Sequence, residues 1–205
     1  MQKVNRNLLI FEKKYSKLHF RKEEFKMLIK NIFLHLKLVT YHRWLVFKLC
    51  LRAGVPWRGF LHDLSKYSPT EFLESIKYYT GDNSPISGAK KDKGYSKAWL
   101  HHKGRNKHHA EYWVDENAPD KTPVIPYKYA VEMICDKLAA GKAYMKKDFT
   151  NEYELQYWLK EKEKIRINEK TAKFVTEVLE KVAKDGVKKS ITKKNMKEIY
   201  KKYCN

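Results

Sequence analysis

The sequence has only three cysteines, Cys50, Cys135 and Cys204, and no CxxC pair. An odd, scattered set excludes a disulfide framework and fits a reducing cytoplasm, the expected compartment. Glycine (8) and proline (6) are sparse among 205 residues, which excludes collagen-like and low-complexity classes. The first 30 residues hold no uncharged apolar run, so no signal peptide is expected. The most hydrophobic stretch, Met27 to Leu51, is broken by Lys30, Lys37, Arg43 and Lys48. Those charges argue against a transmembrane helix, and no membrane partner is expected. There is no internal repeat. No stretch alternates with period two, so β structure should be minor. Acidic residues are outnumbered 24 to 44, giving a formal charge of +20. That charge admits a nucleic acid, a phosphorylated substrate or an acidic lipid without choosing among them. At 42% hydrophobic and 14% aromatic the chain is too apolar to be disordered.

What is present reads as helix almost throughout, in a single compact all-α domain over residues 1–205. A long helical pattern runs from Glu23 to Ala53 and stops at Gly54, with Pro56 just beyond. A short helix follows from about Pro56 to Lys66. Ser68-Pro69-Thr70-Glu71 is a start signal in which Ser68 caps and Glu71 closes a capping box. Gly81 to Gly94 reads as an exposed loop. Tyr95 to Trp113 is mostly helical, with Gly104 a point of interruption. Asn117 to Pro126 is a second loop. Further helices are expected from Pro126 to Lys147, Asn151 to Ile165, Glu169 to Lys184 and Thr192 to Tyr200. Val175, Val178, Leu179 and Val182 form the apolar stripe of the first of the two last helices.

Histidine is the informative residue type. Four of eight fall within nine positions, at His101, His102, His108 and His109. His42 shares a helix face with Leu38, Val39, Leu45, Val46 and Leu49, so its ring should point into the core. Alone, such a residue is better explained by core packing with a hydrogen-bond partner than by a metal. His62-Asp63, with Lys66 close behind, changes that weighting, because a His-Asp pair ending an apolar helix, with a core-facing His upstream, is much less common by chance than a lone pair. Neutral imidazoles and a carboxylate suit Mn, Fe, Co, Ni or Zn and leave positions open for water. Asp136 lies four residues after Glu132 on one helix face, beside the apolar Ile134, Cys135 and Leu138. A solvated acidic face is the plainer reading of that pair. His101 and His108 are seven apart, as are His102 and His109. On an unbroken helix each pair would span about 10 Å, and a break at Gly104 would bring them closer.

The order His42, His62-Asp63, histidine cluster, Asp136 resembles the HD superfamily of metal-dependent phosphohydrolases over roughly residues 35 to 145. More closely, Trp99 to His102, Asn106 to His109 and Glu111-Tyr112-Trp113 look like a family of uncharacterised bacterial and phage proteins. The HD resemblance implies a helical core at about 27–147 with a C-terminal helical extension at about 151–205. It implies that His42, His62, Asp63 and Asp136 bind one divalent transition metal. It further implies that His101, His102, His108 and His109 supply ligands to a second metal or contacts to phosphate.

The expected activity is hydrolysis of a nucleotide or other phosphate ester by metal-activated water. Asp63 is then both ligand and catalytic group, Glu132 or a cluster histidine the general base, and Lys66 the group that offsets developing charge. Lys66, Arg105 and Asn106 would hold the substrate phosphate. Two alternatives stand beside it. One is a metal-dependent nuclease, which +20 would suit. The other is a non-catalytic basic helical protein that binds nucleic acid, with structural histidines.

Overall fold

The structure, a computed structural model, describes the backbone of residues 2–81 and 84–204, and the side chains of that range from residue 21 onward. Ten α-helices and no strand form among the described residues. The first, α1 (Gln2–Ala53), begins well before the expected Glu23. Apolar periodicity fades toward the N-terminus, but no proline or glycine interrupts the helix formers there. It stops where Gly54 turns to a positive φ of 80°.

The short helix α2 (Pro56–Leu61) crosses α1 closely. A Cβ on Gly59 would lie 2.7 Å from Cys50 Cβ and 2.8 Å from the Phe47 Cα, so only glycine allows this approach. The helix does not continue to Lys66 as expected. Asp63 adopts a left-handed conformation (φ 53°), and a tight 3₁₀ turn follows over Leu64–Tyr67. Arg43 of α1 explains the stop. Its guanidinium donates to the carbonyls of Phe60 (2.9 Å) and His62 (2.7 Å), which supplies partners for orphan carbonyls at the helix end.

The helix α3 (Pro69–Lys77) starts at Ser68, whose hydroxyl accepts from the Glu71 N–H. The expected loop from Gly81 to Gly94 instead contains α4 (Pro85–Lys93). Its composition suggested a loop, but proline suits the first helical turn and Gly94 closes the helix at φ 78°. Asp82 and Asn83, at the start of that expected loop, lie outside the described residues. The next helix, α5 (Lys97–Lys103), ends at Gly104. The backbone then turns without helix to a 3₁₀ turn over Ala110–Trp113, so Tyr95 to Trp113 is not one helix. Trp113 donates to the Lys107 carbonyl (2.7 Å) and pins that turn.

The second half consists of α6 (Tyr127–Met145), α7 (Tyr153–Glu161), α8 (Glu169–Asp185), α9 (Val187–Ser190) and α10 (Lys193–Cys204). Helix α6 is central, with ten buried residues. Its Val131, Ile134, Cys135 and Leu138 share one core with Leu45, Val46 and Cys50 of α1, Trp158 of α7, and Met196 of α10. The α8 stripe of Val175, Val178, Leu179 and Val182 is buried there as expected. Each such aliphatic side chain contributes roughly 1.5–3 kcal/mol. No helix among the described residues is long and apolar enough to cross a membrane. The α1–α6 contact matters most for function, because it sets His42 opposite Asp136.

Candidate metal centre

Three elements bring four donors together. His42 comes from α1, His62 and Asp63 from the break after α2, and Asp136 from α6. His42 Nε2 lies 3.0 Å from Asp136 Oδ1 and 3.3 Å from His62 Nε2. His62 Nε2 is 3.3 Å from Asp136 Oδ1 and 3.4 Å from Asp63 Oδ2. Donors at about 2.0–2.1 Å from a tetrahedral ion sit about 3.3–3.4 Å apart, so these side chains are already at ligand spacing.

A second group shares Asp63. Its Oδ1 lies 3.3 Å from His102 Nε2 and 3.5 Å from His108 Nε2, and His109 completes the set. The break at Gly104 makes this possible, because His108 and His109 fold back toward His102. Ring centroids of His102 and His109 are 4.8 Å apart, those of His108 and His109 4.2 Å. Asp63 Oδ1, both nitrogens of His108 and Nε2 of His109 are buried and make no hydrogen bond. Buried polar atoms without partners are costly, so their convergence fits a bound cation. His62, His108 and Glu132 also lie close enough to share an ion.

Behind the donors stands a layer whose role the sequence did not reveal. Glu132 is fully buried, with Oε1 3.1 Å from His62 Nδ1 and Oε2 accepting from Arg58 Nε at 2.7 Å. Glu71 of α3 takes His101 Nδ1 at 2.6 Å and His102 Nδ1 at 2.8 Å. Its side chain therefore serves two histidines thirty positions away, and not a capping box. Carboxylates in this position fix the tautomer and aim Nε2 at the centre.

The charges are strongly coupled. Burial would depress the His62 pKa, but Asp63, Asp136 and Glu132 reverse this and raise it well above the ordinary value. Burial would raise the Asp63 pKa, and His62, Lys66 and His102 instead hold it well below the usual carboxylate range. Asp136 is held low in the same way, against burial, by His42, His62 and His108. Glu132 is held at about 2, against burial, by His108, His62 and Arg58. Burial, with His108 and His102 beside it, keeps His109 well below the ordinary value. The centre thus presents ionised carboxylates that demand a positive partner.

The remaining sequence candidates occupy distinct places. Lys66 pairs with Asp63 Oδ2 at 3.0 Å and lines a cavity of about 170 Å³ with His42 and Asp136. Asn106 is buried and donates to Ser65 Oγ (2.8 Å) and the His102 carbonyl (2.9 Å), so it braces the turn. Arg105 is exposed and lines neither cavity at the centre. His101 is half-buried, engaged with Glu71, and outside the three converging groups. His35, not singled out in the sequence, is 6% exposed on the wall of the small cavity, with its Nδ1 unpartnered. Burial, with the Lys66 charge, lowers its pKa to about 4. A larger cavity, about 570 Å³, opens from His108, His109 and Asp136 toward α7.

No curated protein and no solved structure matches the chain. A family model matches residues 31–181, which include every residue of the centre. The chain belongs to that family, a family of unknown function designated DUF5662.

Proposed function

We propose that the protein is a metal-dependent phosphohydrolase acting on a phosphate ester. The observation that carries this reading is the set His42, His62, Asp63 and Asp136, whose donor atoms sit within 4.8 Å of one another. The order of those residues is also the one that resembles the HD superfamily. In this reading the four residues hold one divalent transition ion, and Asp63, His102, His108 and His109 hold a second. A divalent ion there supplies Lewis acidity toward a phosphoryl oxygen and toward water.

The chain's own residues do the rest. Asp63 divides its oxygens, Oδ2 toward His62 and Oδ1 toward His102, so one carboxylate serves both groups. Glu132 orients His62, and Glu71 orients His102. Lys66 faces the small cavity beside Asp63, where its ammonium offsets charge on a bound phosphate. Glu132 lines neither cavity, so we assign it to holding His62 and leave base chemistry to groups that meet the solvent-filled side. Donors of both groups line two partly open cavities of bounded volume, about 170 and 570 Å³, which suits a small phosphate ester.

The test is elemental analysis of protein purified without a metal-affinity step. A phosphatase and phosphodiesterase panel with Mn, Fe, Co, Ni, Zn and Mg follows. The expected result is one or two bound transition ions per chain and hydrolysis that His62→Ala abolishes. Protein that binds no transition ion, with His62→Ala unchanged in every property, would overturn the reading.

A further inference from the structure

The larger cavity has two unlike ends. The inner end is His108, His109 and Asp136, and the outer end is formed by α7 and the last turns of α6. At about 570 Å³ it falls within the roughly 300–1,000 Å³ of small-molecule sites, whereas the 170 Å³ cavity beside Lys66 is below it. A substrate larger than phosphate must therefore extend its remainder outward toward α7.

The outer wall carries Glu154, only 3% exposed. It forms no ion pair among the described residues. The nearest cation, Lys137, is held by Glu161. The Glu154 carboxyl lies against Gly141, where any Cβ would collide with its Oε1. Burial raises its pKa to about 7, with Lys137 and a hydrogen bond from the Gly141 backbone opposing and Asp136 and Glu161 adding to the rise. A carboxyl that carries its proton part of the time can donate and accept at once. Tyr157 lines the same lobe, and Trp99 stands nearer the inner end, 5.1 Å from the His109 ring. An acid of this kind beside an aromatic ring complements a flat, uncharged group with adjacent donor and acceptor atoms. Base edges present that pattern, and base faces stack on aromatic side chains.

We infer that this lobe receives a nucleobase, with Glu154 as a specificity-determining residue, so that the substrate class is a nucleoside phosphate. The inference rests on the proposed phosphohydrolase only for its phosphate end.

The test is isothermal titration of the metal-free full-length chain with unphosphorylated adenosine, guanosine, cytidine and uridine, with ribose as control. At least one nucleoside is expected to bind and ribose is not. Glu154→Ala should weaken that binding by about tenfold or more, as expected for a lost buried hydrogen bond. Glu154→Gln keeps a donor and an acceptor and should stay within about threefold of the parent. Tyr157 is half exposed, so Tyr157→Ala should fold, and it should weaken binding by about tenfold through lost stacking. No nucleoside binding, or nucleoside affinity unchanged in both Glu154→Ala and Tyr157→Ala, would overturn the inference. With neither metal nor phosphate present, such a failure leaves the phosphohydrolase reading standing. Loss of the metal centre would likewise leave this result standing.

Discussion

Glu132 Oε1 lies 3.1 Å from Nδ1 of His62, and both side chains are fully buried. A carboxylate on Nδ1 settles the imidazole's orientation and leaves Nε2 facing His42, Asp63 and Asp136. Arg58 holds the other carboxylate oxygen at 2.7 Å, so the carboxylate cannot swing away.

Glu132→Gln should therefore weaken divalent-metal affinity by about 10–100-fold while the helical fold is retained. The amide keeps the shape but presents an N–H₂ to either Arg58 or His62. Competition against a chromophoric chelator measures the affinity, and circular dichroism monitors the fold. An unchanged dissociation constant would show that His62 does not depend on this contact.

The same geometry explains how far the site could be read in advance. His42 and His62-Asp63 were legible because each polar residue interrupts a helical apolar pattern. Asp136, which alone read as a solvated acidic face, was joined to them only by the resemblance of their order to the HD superfamily. Glu71 looked like a cap because Ser68 sits three residues before it, a local relation. Its actual partners, His101 and His102, are brought to it by the packing of α3 and α5. Arg43 and Arg58 were invisible for the same reason, since each acts across a helix crossing. The helix α4 was hidden by composition, although Pro85 and Gly94 were its start and stop signals in plain view. Only the bare backbone of Gly141 shows why Glu154 turns inward.

Metal should stabilise the fold measurably. The unpartnered atoms of Asp63, His108 and His109 gain ligands only when an ion is bound. An ion at a hundred times its dissociation constant contributes about 2.7 kcal/mol, if the unfolded chain does not bind it. For a domain of this size that corresponds to a melting rise of about 5–10 °C. Differential scanning fluorimetry with and without Mn or Zn, reversed by chelator, measures it. A melting temperature indifferent to every ion in the series would count against the centre.

Asp63 is both a shared donor and a residue at φ 53°, and three substitutions separate these roles. Asn tolerates the left-handed region, Gly adopts it freely, and Ala does so at about 1–2 kcal/mol. Asp63→Asn and Asp63→Gly should bind less metal at both groups and lose phosphohydrolase activity. Asp63→Ala should do so too and melt lower than Asp63→Gly. Metal stoichiometry and melting curves on the three variants report this. Equal melting of Asp63→Ala and Asp63→Gly would mean that the backbone at this position is unstrained.

Glu154 should make the protein less stable as pH rises. Its folded pKa is about 7, raised chiefly by burial, against an ordinary value of 4.5. Between these values the native state binds the extra proton and the unfolded state does not, so stability falls as pH increases. Below the ordinary value both states are protonated and the effect vanishes; above pH 7 it is complete. The shift corresponds to about 3 kcal/mol as an upper bound. Glu154→Gln removes the titration and should be more stable than the parent by about 1–3 kcal/mol at pH 8. Near pH 4.5 the two should converge. Urea melts of both proteins at the two pH values read the difference directly. Other groups such as Glu132 titrate in both proteins and cancel in the comparison. A difference that does not change with pH would show that Glu154 is ionised in the fold at neutral pH, held by Lys137 despite the Glu161 contact.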